Sequence, residues 1–328
     1  MSLSPSLQDL YSRIAPDLLA VEAQIESALR SEEPSVQRMA HHASGQGGKR
    51  MRPAMISLVA EAVGERNALH ATLGAVVEMI HLATLVHDDV IDGAGLRRQK
   101  RTVNALWSSH DAVLLGDIIF ARAIHLLASM GDQRSLLSLT RAVSRVCEGE
   151  ILQNSQRAAV DMEESTYYRI IDQKTAELYA VGCSLAAHLT GASETVSVAL
   201  DTFGRELGLA FQITDDCLDL LGDESVVGKS LGTDLVGGKM TLPLILFRDR
   251  AAPRDLDLLR RIITGERQDA ESFASIRELL VESEACIDAQ KRARDHAHAA
   301  LVAVRAALPG RDLESLEAVA SFVLSRAL

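Results

Sequence analysis

Two acidic triplets of identical spacing, Asp88-Asp89-x-x-Asp92 and Asp215-Asp216-x-x-Asp219, each close an apolar run that reads as a helix: MIHLATLV before the first, LGLAFQI before the second. On a helix the first and third members stand four residues apart, one turn above each other, and the second stands three from the third. Each triplet therefore turns its charge one way. A solvated helix face would be polar along its whole length, and these runs are not. Six carboxylates beside so much Leu, Ile, Val and Ala repel one another unless a cation joins them, and hard divalent ions with oxygen ligands meet that need. Two such clusters, 127 residues apart in sequence, predict a cavity holding a Mg²⁺-bridged diphosphate.

The rest of the 328-residue chain fits a helical protein. Apolar residues make up 47% but aromatics only 3%, with Ala and Leu dominant, a mix that favours helix over strand. Seven prolines leave room for long helices. A net charge of −11 argues against nucleic acid as a partner, because phosphate contacts need a basic surface. Cys147, Cys183, Cys217 and Cys286 show no zinc-like spacing and read as free thiols of a reducing compartment. The start lacks a basic segment followed by an apolar one, and no run of about 18 consecutive apolar residues occurs. A cytoplasmic protein without a transmembrane segment is expected.

Helical spacing predicts helices over 7–29, 54–63, 67–92, 111–130, 134–157, 165–191, 195–221, 241–248, 255–263, 273–282, 284–308 and 313–326. Loops are expected at SEEPSVQ (31–37) and HHASGQGGKRMRP (41–53), and DGAGLRRQKRTVN (92–104) breaks the period. No period-two strand and no linker interrupts this. The expectation is an all-α fold, one domain spanning 1–328, without solenoid repeats.

Cationic residues gather where loops meet helices. Lys49, Arg50 and Arg52 follow two glycines that let backbone approach a ligand closely. Arg97 and Arg98 follow the first triplet after four intervening residues, and Lys229 and Lys239 lie in the glycine-rich GKSLGTDLVGGKMTLP beyond the second. As structure these are turns and weak ion pairs; as chemistry they clamp diphosphates, and the last loop closes over one.

These stretches, with EGEILQ and DQKTAEL, stand in the order and spacing of the trans-isoprenyl diphosphate synthases, the polyprenyl synthetase family, which the chain resembles nearly end to end. The resemblance implies a single large helical bundle of the isoprenoid synthase type around a deep central cavity. It implies about three Mg²⁺ ions held by Asp88, Asp92 and Asp215, with Asp89, Asp216 and Asp219 beside or behind them. Arg97, Lys174, Lys229 and Lys239 would bind the allylic diphosphate; Lys49, Arg52, His81 and Arg98 would bind isopentenyl diphosphate. His81 lies two turns before Asp88 on nearly the same helix face, as that role requires. With Lys174, Thr175 and Gln212 form the implied catalytic group, the latter two as oxygen dipoles near an allylic cation.

Helix geometry speaks to product length. Thr84 lies one turn before Asp88, and Ile80 and Val77 continue the line along the path of a growing tail. Family members making short products commonly block this path with aromatics at the positions matching Ala83 and Thr84. Both are small here, which resembles the long-chain, quinone-tail synthases of the heptaprenyl to decaprenyl range. A farnesyl or geranylgeranyl diphosphate synthase is the alternative. A terpene cyclase would lack the second DDxxD and the GGKRMRP cradle, and a noncatalytic subunit of a heteromeric synthase would lose motif residues. A homodimer is implied. The chain departs from the family in reading Gln99 where Gly usually follows the arginine pair, and Gly93, Ala94 and Gly95 replace more polar residues.

Overall fold

Helices form where the apolar period holds, and a computed structural model describes them for residues 7–45, 47–222 and 232–325. In chain order they are α1 (Leu7–Arg13), α2 (Ala15–Leu29), α3 (Pro34–Ser44), α4 (Met51–Val63) and α5 (Ala68–Ile91). After a hairpin of β1 (Leu96–Arg97) and β2 (Lys100–Arg101) follow α6 (Val103–Leu106), α7 (Ser109–Ser129), α8 (Gln133–Ser155) and α9 (Glu164–Ile171). A π-helical turn, Asp172–Ala176, leads into α10 (Glu177–Leu189), then α11 (Glu194–Leu221) and α12 (Thr233–Val236). The chain ends with α13 (Leu242–Arg248), α14 (Pro253–Ile263), α15 (Ala270–Glu282), α16 (Ala285–Ala307) and α17 (Glu314–Ser325). The fold is all-α, as the composition predicts.

Four local expectations are corrected. Residues 7–29 do not form one helix: α2 starts afresh with Pro16 in its first turn and no side-chain cap at Ile14. The loops expected at 31–37 and 41–53 give way to helix over Pro34–Ser44, because Pro34 sits at the first position, where its missing N–H costs nothing, and the Glu33 carboxylate caps Ser35 N–H. The stretch 165–191 is interrupted by the π turn. Finally, Leu96 pairs antiparallel with Arg101 and Arg97 with Lys100, a short ribbon that composition did not announce.

The chain divides into two compact units. The first comprises residues up to Val143, Val181–Asp201 and Val304–Val319. Its axis is α5, which packs on α7, α4 and α2 and buries Leu73, Val76, Val77, Met79 and Ile80 completely. Asn67 and His70 cap α5 reciprocally, fixing where it starts. By length and composition α5 and α7 are each apolar enough to cross a membrane, yet two-thirds (67%) of the α5 window is buried inside the fold, against 33% for α7. The second unit comprises Ser144–Ala180, Thr202–Ala303 and the residues from Ala320 onward. It buries Phe203, Leu207, Ala210, Ile213 and Leu220 along α11, with Leu242, Leu244 and Ile245 of α13.

Candidate active site

In the first unit the α5 C-terminus presents the first triplet unevenly. Asp88 is half-buried and Asp92 exposed, whereas Asp89 is buried and accepts a hydrogen bond from Arg97 Nε at 2.8 Å. Loss of hydration pushes the Asp89 carboxyl above its ordinary range, against the pull of Arg97. Arg97 thus ties the hairpin to the triplet.

The same unit collects the expected cationic cradle. Arg52, Arg97, Arg98 and Arg50 all act electrostatically on His81; burial first, then these four charges, hold its imidazole well below the ordinary histidine value. His81 therefore stays neutral, a hydrogen-bonding group rather than a fifth charge. Arg50, grouped from sequence with the diphosphate-binding cluster, precedes α4 in the left-handed region at φ 47°. Its guanidinium pairs with Glu22 and with the buried Glu78, the latter at 2.8 Å. Arg98 donates to the Gly47 carbonyl and lies so close to Gly48 that a Cβ there would sit 2.8 Å from Nη1. Gly48 shares that space with the guanidinium, whereas Gly47 has open space around it and is called for by its positive φ of 73°. Lys49 is exposed at the mouth of this loop, and its carbonyl accepts from Tyr11. Ala83, Ile80 and Val77 are buried along α5, and Thr84 is half-buried with its hydroxyl turned to the His81 carbonyl at 2.8 Å.

In the second unit, α9, the π turn, α11 and the loop after α12 line a cavity that includes Lys174, Thr175, Gln212, Asp216, Asp234 and Lys239. The π turn admits one extra residue per turn and carries Lys174 and Thr175. Two glycines let neighbouring helices reach it: a Cβ on Gly149 of α8 would lie 2.7 Å from Gln173 Cβ, and one on Gly208 of α11 would lie 2.6 Å from Ala176 Cα, while Gly204 gives the same close approach to the Tyr179 carbonyl of α10. Lys174 Nζ donates to Gln153 Oε1 at 2.8 Å and pairs with Glu150.

The second triplet is also split. Asp215 is half-buried, but Asp216 and Asp219 are buried. Asp216 accepts from Tyr167 Oη and Gln212 Nε2, both at 2.7 Å, and Thr175 Oγ1 donates to Gln212 Oε1 at 2.8 Å. Burial pushes the Asp216 carboxyl up, and Asp234 and Asp215 push the same way. Asp219 accepts from Thr233 Oγ1 at 2.8 Å and Asp234 N–H at 3.0 Å, so it anchors the start of α12. That anchor brings Asp234 into the cavity with Lys239, 4.0 Å apart. Tyr167, Gln153 and Asp234 were not singled out from sequence. Asp234 stood within a quoted glycine-rich stretch, whereas Tyr167 had no motif to mark it. Lys229 lies outside the described residues.

In each unit taken by itself the donors suit a hard cation: carboxylate oxygens, with Asp88 and Asp92 not buried in the first and Asp215 not buried in the second. Among the described residues no three Asp, Glu, His or Cys converge into a ready-made cage. A metal ion held here would need oxygens from its ligand as well.

The Polyprenyl synthetase family profile matches residues 33–280. The chain is 39% identical over 300 residues to the all-trans-nonaprenyl-diphosphate synthase (geranyl-diphosphate specific) of Rhodobacter capsulatus, covering 90% of this chain and 91% of that one. It is 42% identical over 240 residues to heptaprenyl diphosphate synthase component 2 of Geobacillus stearothermophilus, covering 73% and 75%. Among solved structures, polyprenyl synthase from Caulobacter crescentus CB15, complexed with calcium and isoprenyl diphosphate, superimposes with a TM-score of 0.94 at 37% identity over the whole of both chains. With the motifs, the all-α fold and these matches agreeing, the chain belongs to the polyprenyl synthetase family and is a prenyltransferase.

Proposed function

We propose that the protein condenses isopentenyl diphosphate with an allylic diphosphate, by ionisation, condensation and elimination, to a long-chain all-trans polyprenyl diphosphate. The observation that carries this reading is the second unit's cavity: two lysines suited to a diphosphate, two neutral oxygen dipoles, and no Cys, Ser or His among its described lining residues. Lys174 and Lys239 hold the allylic diphosphate, the first by exchanging its contacts with Glu150 and Gln153 for phosphate oxygens. Asp88 and Asp92, and Asp215, would hold Mg²⁺, which when bound would supply further charge neutralisation of the leaving group. The allylic carbon–oxygen bond breaks with its electron pair leaving on diphosphate, and the carbonyl of Gln212 and the hydroxyl oxygen of Thr175 face the cation that forms. Lys49, Arg52, His81 and Arg98 hold isopentenyl diphosphate, whose double bond attacks the cation. Loss of a proton to the departed diphosphate restores a double bond.

Small Ala83 and Thr84 support a long product, as do the long-chain relatives. The exposed apolar residues Val113 and Leu114 on α7 support a homodimer, and we place the enzyme in the cytoplasm. The test is incubation of the purified protein alone with isopentenyl diphosphate, a farnesyl or geranylgeranyl starter and Mg²⁺, with products read by mass spectrometry. The expected ladder ends between heptaprenyl and decaprenyl. One that stops at geranylgeranyl rejects the long-chain assignment, and no product from any starter rejects a self-sufficient enzyme.

A further inference from the structure

The geometry points to Tyr167 as a positioning residue that fixes the Gln212 amide through Asp216, an inference that rests on the reaction proposed above. Tyr167 is 3% exposed on α9, and its hydroxyl donates to Asp216 Oδ2 at 2.7 Å. Asp216 lies one helical turn beyond Gln212 on α11, and its other oxygen accepts from Gln212 Nε2 at 2.7 Å. Gln212 Oε1 in turn accepts from Thr175 Oγ1 at 2.8 Å. All four side chains line the one cavity.

The order of donors and acceptors along this chain gives Tyr167 its task. A glutamine amide is nearly symmetric in shape but opposite in polarity at its two ends, so its neighbours decide which end faces where. The Gln212 NH₂ donates to Asp216 Oδ1, which leaves the amide carbonyl oxygen on the Thr175 side, where it accepts from the Thr175 hydroxyl. Flipped, the amide would set N–H groups where an allylic cation needs oxygen. Asp216 holds the amide only while its own carboxylate is held, and Tyr167 supplies the second donor that stops it rotating. Tyr167 meets neither lysine of the diphosphate end within hydrogen-bond reach among the described contacts, so its effect belongs to the ionisation step rather than to substrate capture.

The test compares Tyr167→Phe with wild type, keeping the ring and removing the hydroxyl. Read-outs are kcat, KM for both substrates, the melting temperature, and calorimetric Kd for an allylic thiolodiphosphate, which binds without ionising readily. The expected result is a fall in kcat of about 10- to 100-fold, the size of one buried polar group left without its partner, with KM and Kd within about twofold of wild type. An unchanged kcat overturns the inference, as does a loss confined to KM and Kd. If Tyr167→Phe does not fold, Asp216→Asn carries the test, since it keeps the side-chain volume but turns one arm into a donor. The same kcat loss with unchanged Kd supports the inference; a weakened Kd in Mg²⁺ overturns it by making Asp216 part of the metal-diphosphate site. Where both variants fold, the double variant should lose no more than the worse single one, and additive losses count against coupling. A wild-type protein that fails to turn over rejects the proposed function itself, a different outcome from any of these.

Discussion

His81 shows how one residue's surroundings reverse an ordinary expectation. A histidine beside a diphosphate site is easily taken for a cation, but burial and Arg52, Arg97, Arg98 and Arg50 keep it neutral. Its folded-state pKa lies below the unfolded value of about 6.5, so below that pH the unfolded chain binds one proton more than the folded one. Stability from this residue is therefore complete above about pH 6.5 and falls by up to about 1.4 kcal/mol per pH unit as the medium is acidified. Asp89 and Asp216, both raised, slope the opposite way, so the informative quantity is a difference between proteins. His81→Gln should show a flatter urea midpoint between pH 5.5 and 7.0 than wild type; equal slopes would mean His81 is not held neutral. The sequence displayed the residues of both triplets and of the cradle, because acids and bases are legible as letters. It did not display that Asp89, Asp216 and Asp219 are committed to Arg97, to Tyr167 and Gln212, and to Thr233 and Asp234, since all of those partners but Gln212 come from other elements.

Among the elements, the hairpin after the first triplet and the π turn carry the arginine pair and the Lys174-Thr175 pair, and both were the least legible parts. Arg98 and Gln99 form the two-residue connection between β1 and β2, with φ of 49° and 62°. A primed type I hairpin turn demands positive φ at both central residues, which glycine meets without steric cost and glutamine does not. Gln99→Gly should therefore raise stability by about 1 kcal/mol, read as a higher melting temperature, provided the loop keeps its shape. A lower melting temperature would show that the Gln99 side chain outweighs its backbone strain. The π turn left no compositional trace, because an added residue per turn changes the register of the backbone and not its hydrophobicity. What did mark it was glycine on the helices that pack against it. Gly208→Ala sets two effects against each other: alanine gains about 1 kcal/mol in helix propensity, but its Cβ would stand 2.6 Å from Ala176 Cα. A backbone neighbour cannot step aside, so the clash should win by about 1–3 kcal/mol. Because Gln212 lies one turn further along α11, kcat should fall too. A Gly208→Ala protein as stable and active as wild type would show that α11 has slack there.

For the whole molecule, the order of motifs along the chain revealed the family and the helical class, because every helix reports its own period. The division into two compact units was not legible: α8, α10, α11, α16 and α17 each contribute residues to both, and no linker marks a boundary. Charge is the other property of the whole, −11 overall, with acidic triplets 127 residues apart. No three described acidic or sulfur and nitrogen ligands converge, so protein carboxylates alone make a weak site for a divalent ion. Diphosphate alone in the second unit's cavity meets Lys174 and Lys239 but also the repulsion of Asp216 and Asp234, which line the same cavity. Each partner would complete what the other lacks: a bound ion would take oxygens from the diphosphate, and the diphosphate would lose the repulsion. A ligand pair at about 100 times its Kd that binds only the folded chain adds about 2.7 kcal/mol. For a chain this long that is a melting-temperature rise of about 5 °C. Mg²⁺ alone or inorganic diphosphate alone should move the melting temperature by about 1 °C or less. Both together should give the full rise, EDTA should remove it, and Asp88→Asn or Asp215→Asn should shrink it. A full rise from diphosphate in the presence of EDTA would mean that the cationic side chains bind it unaided and that the paired aspartates serve some other purpose.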